Sequence, residues 1–514
     1  PMYLTQGLRR CAERNPERLA LAGGGRRWSW REFNDRVARL AGGLVAMGLR
    51  PNDRVAILSH NGPEYFEFSY GVPWAGGVIV PLNNKLTAAD LVYILNHSGT
   101  RFLLADEDFR ALIEDFSGQL ESVEKTLYFA PGRDDSAYEN LIASVSPRDD
   151  QLRGYEDMAG IFYTSGTTGR PKGVMLSHRN LLWNAMSGII NYGLSEETVY
   201  LHATPLFHAA GGSRVFTMVT AGVTNIILPR FDVQALLAAI ERHRVTSLLL
   251  VPTMINRLVN DPALGDYDLS SLRTIAYGAS PMPQSVLADA LQKLPGVGFC
   301  QAYGMTELSP AATFLDTRYH VLEGPDAGRL RSCGRAVWGA DVRIVDQQDH
   351  PVPVGEVGEI VVRGPMVMQG YWRDPEATAK AVREGWMHTG DAGYRDADGF
   401  FYIVDRIKDM VITGGVNVAS VVVEDCIHEL EAVGECAVFG IPHPDWVEAV
   451  HAVVVPRAGA ALTGEEVIAH CRARLAAYQC PRSVEIRVHP LPISGTGKIM
   501  KNELRKPFWQ SSGT

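Results

Sequence analysis

No stretch of this 514-residue chain offers the roughly 18 consecutive apolar residues that a membrane-spanning helix needs. The nearest approach, residues 70–82, is broken by Pro73, Gly76, Gly77 and Pro81. Positive charge is also in short supply: 49 Lys and Arg stand against 58 Asp and Glu, a formal charge of −9. That balance argues against nucleic acid or an anionic membrane as a partner, while leaving room for a local phosphate site. The seven cysteines form no C-x-x-C pair and are odd in number. They therefore read as buried or incidental thiols in a reducing compartment, not as a disulfide frame or zinc site. The first residues (PMYLTQGLRRCAERNP) read as an amphipathic helix and lack the apolar core of a signal peptide, so a cytoplasmic location is expected. Repeats and low-complexity tracts are absent. What is present is ordinary for a globular protein with a sizeable core, 46% hydrophobic and 21% charged residues. The length allows one large body plus a smaller one.

Periodicity supplies the fold class. Helix-like segments at 31–47, 64–75 and 88–96 alternate with strand-like segments at 54–58, 78–81 and 102–105. The habit returns in strands at 224–228, 247–251 and 274–277 and helices at 233–243, 254–259 and 284–294. Such alternation implies largely parallel sheets covered by helices, with ligands in the loops at the carboxyl ends of the strands. From about Arg335 the pattern changes to short strands with Gly and Pro turns, which suggests a small antiparallel, barrel-like part. Beyond Lys408 a tail with its own alternation has the length of a small α+β domain: helices at 421–430 and 464–477, strands at 435–440, 449–455 and 484–488. The expectation is an α/β protein with an N-terminal domain at 1–407 and a C-terminal domain at 408–514.

The most informative segment is 163–178, YTSGTTGRPKGVMLSH. Thr164, Ser165, Gly166, Thr167, Thr168 and Gly169 supply hydroxyls and open backbone, and Lys172 supplies charge, the means by which a loop holds phosphate. A strand at 160–163 is expected before it and a helix at 179–188 after it. It is not the P-loop of kinases, since Gly166 and Lys172 are wrongly spaced for GxxxxGK[ST]. Gly495-Thr-Gly-Lys498 fails as well, because Ile499 stands where the hydroxyl should be. No dinucleotide GxGxxG fingerprint sits between a strand and a helix, so kinase-type transfer and nicotinamide redox chemistry both lose ground.

The segment 163–178 resembles the phosphate loop of the adenylate-forming superfamily, which includes acyl-CoA synthetases, luciferases and adenylation domains. Further stretches agree with the same family, in the same order: YGASP at 277–281, QAYGMTE at 301–307, TGD at 389–391, DRIKD at 405–409 and PISGTGKI at 492–499. The resemblance spans essentially the whole chain. It implies that Gly278, Ala279 and Ser280 hold adenine by their backbone. Gln301, Ala302, Tyr303 and Gly304 would form the segment whose Tyr stacks on adenine. Thr306 would contact phosphate, Glu307 would ligate Mg²⁺, and Asp391 with Arg406 would clamp the ribose. A hairpin around 399–404 is expected to bring these last two together. Lys408 is placed at the hinge of a mobile C-terminal domain. Lys498 is the adenylation lysine, a point cation able to bridge the acyl carboxylate and the α-phosphate. Gly414, Gly415 and Asn417 would line a pantetheine tunnel, and Trp446 would meet the nucleotide part of CoA or else serve as a core residue.

Departures cluster in the C-terminal part. Ser420 and Val422 stand where the family shows Pro and Glu, Val447 where it shows Gly, and Gln479-Cys480 where it shows Tyr-Lys. The segment 205–212 (PLFHAAGG) resembles the family's border of the acyl pocket, which implies that His208 lies near the reacting carboxylate, where it is expected to act as a gate. Ala209, Gly212, Met254, Met305 and Ala311 would form roomy walls for an apolar aliphatic or aryl acid. Arg214 is expected to be a solvated helix residue, with a second carboxylate on the substrate as its alternative partner. The implied activity is acyl-CoA synthesis from a carboxylic acid, ATP and CoA, with Mg²⁺. The alternatives are transfer of the acyl group to a carrier protein, a malonate-like diacid as substrate, oxidative use of the adenylate, and a catalytically silent nucleotide-binding module. Whether copies of the chain associate is left open.

Overall fold

The computed structural model describes residues 3–164, 170–280, 282–413, 416–493 and 499–510. The expected strands Arg54–Leu58 and Val78–Pro81 and the helix Val233–His243 form at the bounds read from the sequence, and most others differ by one to three residues. Their causes are local. The helix Trp30–Ala46 starts at a Ser29/Glu32 capping box and buries Phe33, Val37, Leu40 and Leu44 along one face.

The N-terminal part holds two helix-covered sheets. A nine-stranded sheet is parallel through Gly298–Gly304, Thr274–Gly278, Ser247–Leu250, Val199–His202, Thr224–Ile227 and Leu19–Gly23, with antiparallel strands at both edges. A seven-stranded sheet has Met158–Thr164, Val78–Pro81, Arg54–Leu58, Thr100–Asp106 and Lys125–Phe129 as its parallel part. Between the two sheets one apolar cluster collects Trp30, Phe33, Phe66, Tyr70, Leu104 and Phe216, each at most 1% exposed. Burying each such side chain contributes roughly 1.5–3 kcal/mol, which fixes the sheets relative to each other. A small antiparallel sheet follows, built on Asp341–Val345, Gly358–Arg363, Trp386–Arg395 and Phe401–Arg406. The C-terminal part has its own five-stranded sheet, from Val411–Thr413 to Ser483–Ile486. It also has its own core of Val411, Val423, Ile427, Val438, Val454 and Val467. All seven cysteines are buried and unpaired, and no described helix is long and apolar enough to cross a membrane.

One local expectation is corrected. The strand Met158–Thr164 is not followed next by a helix. The strand Met158–Thr164 is followed by an antiparallel strand, Lys172–Ser177, with Thr164 opposite Lys172, and the helix His178–Tyr192 begins only after it. Lys172 is therefore fixed by a strand ladder and not by a helix N-terminus. Residues 172–177 (KGVMLS) alternate too little to read as a strand in isolation, and pairing on both sides decides the matter.

Candidate active site

The carboxyl ends of the parallel strands open onto a single cavity of about 2150 Å³, larger than the roughly 300–1,000 Å³ typical of a pocket for one small ligand. Gly278, Ala279 and Ser280 stand at and just beyond the end of Thr274–Gly278, and Gln301, Ala302, Tyr303 and Gly304 form the end of the neighbouring strand Gly298–Gly304; all of them line the cavity. Close packing makes two glycines necessary here. A Cβ on Gly278 would lie 2.4 Å from the Ala302 carbonyl oxygen, and one on Gly304 only 1.8 Å from that of Pro310. Ala279 adopts a positive φ of 69° that turns the chain along the cavity rim.

Two buried carboxylates face this cavity, each held by a tyrosine. Tyr303 Oη donates to Asp391 Oδ2 at 2.7 Å, and Arg406 Nε approaches Asp391 Oδ1 at 3.0 Å. Asp391 and Arg406 lie directly opposite each other on the antiparallel pair Trp386–Arg395 and Phe401–Arg406, so strand register brings them together as the hairpin expectation required. Burial, then the charge of Asp391, raises the Tyr303 phenol well above its ordinary range, so it stays a donor. Glu307, in the short turn Thr306–Leu308, accepts from Tyr371 Oη at 2.8 Å, and Lys172 Nζ lies 5.1 Å from the Tyr371 ring centre. Burial raises the Glu307 carboxyl above its usual pKa, opposed by the Tyr371 hydroxyl and by the charges of Arg406 and Lys172.

The other expected residues divide. Thr164, Lys172, His208, Ala209, Met305, Thr306, Ala311 and Lys408 line the cavity. The His208 ring accepts from Ala210 N at 3.4 Å and caps the helix Ala209–Ala221. Met254 does not line the cavity; it packs on the apolar cluster of Leu258 and Leu287. Nor does Gly212, where a Cβ would meet the Leu206 carbonyl oxygen at 2.5 Å, so this glycine permits close approach of the helix to the preceding loop. Asn417 sits opposite Ile412 in the C-terminal sheet. Trp446 lies outside the cavity, stacked on His443 at 4.2 Å with the Arg482 guanidinium 4.6 Å from its ring centre. Ser165, Gly166, Thr167, Thr168, Gly169, Gly414, Gly415 and Lys498 lie outside the described residues.

The solvated reading of Arg214 is overturned. It is 8% exposed and lines the cavity, because the helix Ala209–Ala221 turns Ala210, Ser213, Arg214 and Thr217 to one face. Sequence reasoning also missed Tyr371, whose two-residue strand Gly370–Tyr371 carries no periodic signal and is placed by pairing with Lys172–Ser177. It likewise missed the departures' own chemistry. Ser420 is fully buried, its backbone N donates to Asp405 Oδ2 at 2.6 Å, and its hydroxyl accepts from Lys501 Nζ, which also pairs with Glu424 at 2.7 Å.

Comparison with known proteins places the chain. Residues 8–372 match the model for AMP-binding enzymes, and residues 422–498 match the model for the AMP-binding enzyme C-terminal domain. A feruloyl-CoA synthase of Amycolatopsis is 41% identical over 501 residues, covering 97% of this chain and 98% of its own. Among solved structures, ATP-bound MatB from Rhodopseudomonas palustris superposes with a TM-score of 0.90 at 32% identity, over 99% of both chains. The o-succinylbenzoate CoA synthetase of Bacillus subtilis, in complex with its acyl-adenylate, superposes with a TM-score of 0.85 at 30% identity, over 97% of both. The chain belongs to the AMP-binding enzyme family.

Proposed function

We propose that the protein is an AMP-forming acyl-CoA ligase whose substrate is a carboxylic acid of the aryl or aryl-propenoic class. The observation that carries this reading is the convergence on one cavity of two tyrosine-held carboxylates, Asp391 and Glu307, with the cations Lys172 and Arg406. Asp391 accepts the ribose hydroxyls with Arg406 beside it. The backbone of Gly278, Ala279 and Ser280 meets adenine, against which Tyr303 stacks. Thr164 to Gly169 with Lys172 and Thr306 hold phosphate oxygens.

The first step joins two anions. A carboxylate oxygen of the acid attacks the α-phosphorus, a P–O bond to the β-phosphate breaks, and pyrophosphate leaves. Positive charge must be set where negative charge gathers, and Lys498 is the residue assigned to it. Ile493 and Ile499, which pair with each other on either side of that segment, both line the cavity, and this supports the assignment. Magnesium suits the donor set: it favours one or two carboxylates together with phosphate oxygens, and Glu307 presents a buried carboxylate on the same wall as Thr306. Bound there, the ion would neutralise phosphate charge.

In the second step the CoA sulfur attacks the acyl carbon, the thiol gives up its proton, and AMP leaves with the former carboxylate oxygen. The domains divide at Lys408, and the C-terminal part swings about it between the two steps. Gly414, Gly415 and Asn417 then border the pantetheine arm, Trp446 lies toward the nucleotide of CoA, and His208 gates the acyl pocket. Acid-dependent exchange of labelled pyrophosphate into ATP tests the first step. Exchange with an aryl-propenoic acid supports the reading, and no exchange with any carboxylic acid overturns it.

A further inference from the structure

Arg214 lies in an unusual setting for a charged side chain. It is 8% exposed, among Tyr192, Tyr200, Cys300 and Phe314. Its Nη2 donates to Tyr192 Oη at 2.5 Å, and the guanidinium carbon stands 4.0 Å from the Tyr192 ring centre. Among the described residues no carboxylate lies within ion-pair distance of it. Burying a guanidinium is costly unless it is paired, and the usual partner is a carboxylate. A ring face and one phenol offset only part of that cost, and among the described residues Tyr192 is the one acceptor that the five N–H donors of the fork meet.

Those donors belong to the cavity wall. The helix Ala209–Ala221 presents Ala210, Ser213, Arg214 and Thr217, and the facing helix His178–Tyr192 presents Asn184, Ser187, Asn191 and Tyr192, each series at helical spacing. Arg214 stands six positions beyond His208, the residue that caps the same helix, a rise of about 9 Å along the axis. A substrate with its carboxylate near His208 therefore reaches the guanidinium with its far end.

We propose that Arg214, oriented by Tyr192, is a specificity-determining residue that reads an oxygen acceptor at the distal end of the acid. The shared chemistry is a lone-pair oxygen, on a phenol or on a second carboxylate, set against the guanidinium fork. Such a group completes the hydrogen bonding of the buried cation, whereas a methyl group of similar size leaves it unpaired. Tyr192 is a positioning residue, acting through Arg214. This inference rests on the ligase reading given above.

The test compares 4-hydroxycinnamate, 4-carboxycinnamate and 4-methylcinnamate by kcat/KM for acid-dependent pyrophosphate release. The comparison is made in the wild-type protein and in Arg214→Met, Arg214→Lys and Tyr192→Phe. The expected wild-type result is a preference of at least about 10-fold for one oxygen-bearing acid over the methyl acid, expressed mainly in KM. Which oxygen acid leads identifies a phenol or a carboxylate as the natural group. Arg214→Met should bring the ratio close to one, Arg214→Lys should keep part of it, and Tyr192→Phe, which removes a single oxygen, should lower it several-fold. A purely structural Arg214 would lower turnover of all three acids together and leave their ratio intact. Equal kcat/KM for the three acids in the wild type, or a ratio unchanged in both Arg214→Met and Tyr192→Phe, overturns the proposal while the ligase reading stands. Failure of the wild type to release pyrophosphate with any carboxylic acid overturns the ligase reading, and the proposal with it.

Discussion

Tyr371 Oη donates a hydrogen bond of 2.8 Å to Glu307 Oε1 across 64 positions of sequence. The contact exists because the short strand Gly370–Tyr371 pairs with Lys172–Ser177, which sets the phenol between Lys172 and Glu307. Burial already lifts the Glu307 pKa, and the Tyr371 hydroxyl pulls it down. In Tyr371→Phe the carboxyl loses a bond to its charged form, so its pKa rises further and the ionised form appears only at higher pH. The acid limb of the pH profile of kcat/KM for pyrophosphate release should move upward, with a loss of about 10-fold at neutral pH. An acid limb in the wild-type position would show that the ionisation of Glu307 does not set it.

The pairing of Asp391 with Arg406 and Tyr303 predicts a nucleotide-specific defect. Asp391→Asn keeps the shape but loses the negative charge, and hydrogen bonds to charged groups are worth about 1.5–3 kcal/mol. ATP affinity measured by titration calorimetry should fall about 10- to 100-fold, with the KM for the acid little altered. Unchanged ATP binding would contradict the ribose role.

Lys498→Ala separates the half-reactions. Adenylate formation should fall by about 10²-fold or more, while thioester formation from supplied acyl-AMP and CoA is largely spared. Equal loss in both would contradict the role given to this lysine.

A further prediction concerns stability and not chemistry. Glu64 is 3% exposed, and its Oε2 has no hydrogen-bond partner among the described residues. Burial foremost, with the neighbouring Glu67, raises its pKa from 4.5 to about 7. Between those two values the folded state keeps a proton that the unfolded state has lost, so stability falls as pH rises through that window and is level above it. Glu64→Gln removes this loss. It should be more stable than the wild type at pH 8, by about 1.4 kcal/mol for each pH unit of the window, and little different at pH 5. Urea midpoints at the two pH values measure this; a difference independent of pH would contradict it.

Much of the fold was legible because helix and strand periods differ, as in the alternation of the helix at 31–47 with the strand at 54–58. The site was legible where its residues are adjacent in sequence, as in 301–307, and where a hairpin register could be inferred, as for Asp391 and Arg406. It was not legible where contact depends on distant pairing. Tyr371 belongs to a two-residue strand, and Arg214 owes its burial to a helix face that meets another helix. Met254 and Gly212 show the converse error: small or flexible residues near a motif can serve packing and never reach the cavity.

Following AMP and thioester together tests CoA ligation itself. The protein is supplied with ATP, Mg²⁺ and 4-hydroxycinnamate, with and without CoA, and both products are quantified over many turnovers. The expected result is multiple-turnover AMP release that requires CoA and is matched one for one by a CoA thioester. AMP release indifferent to CoA, or release with no thioester formed, would contradict it.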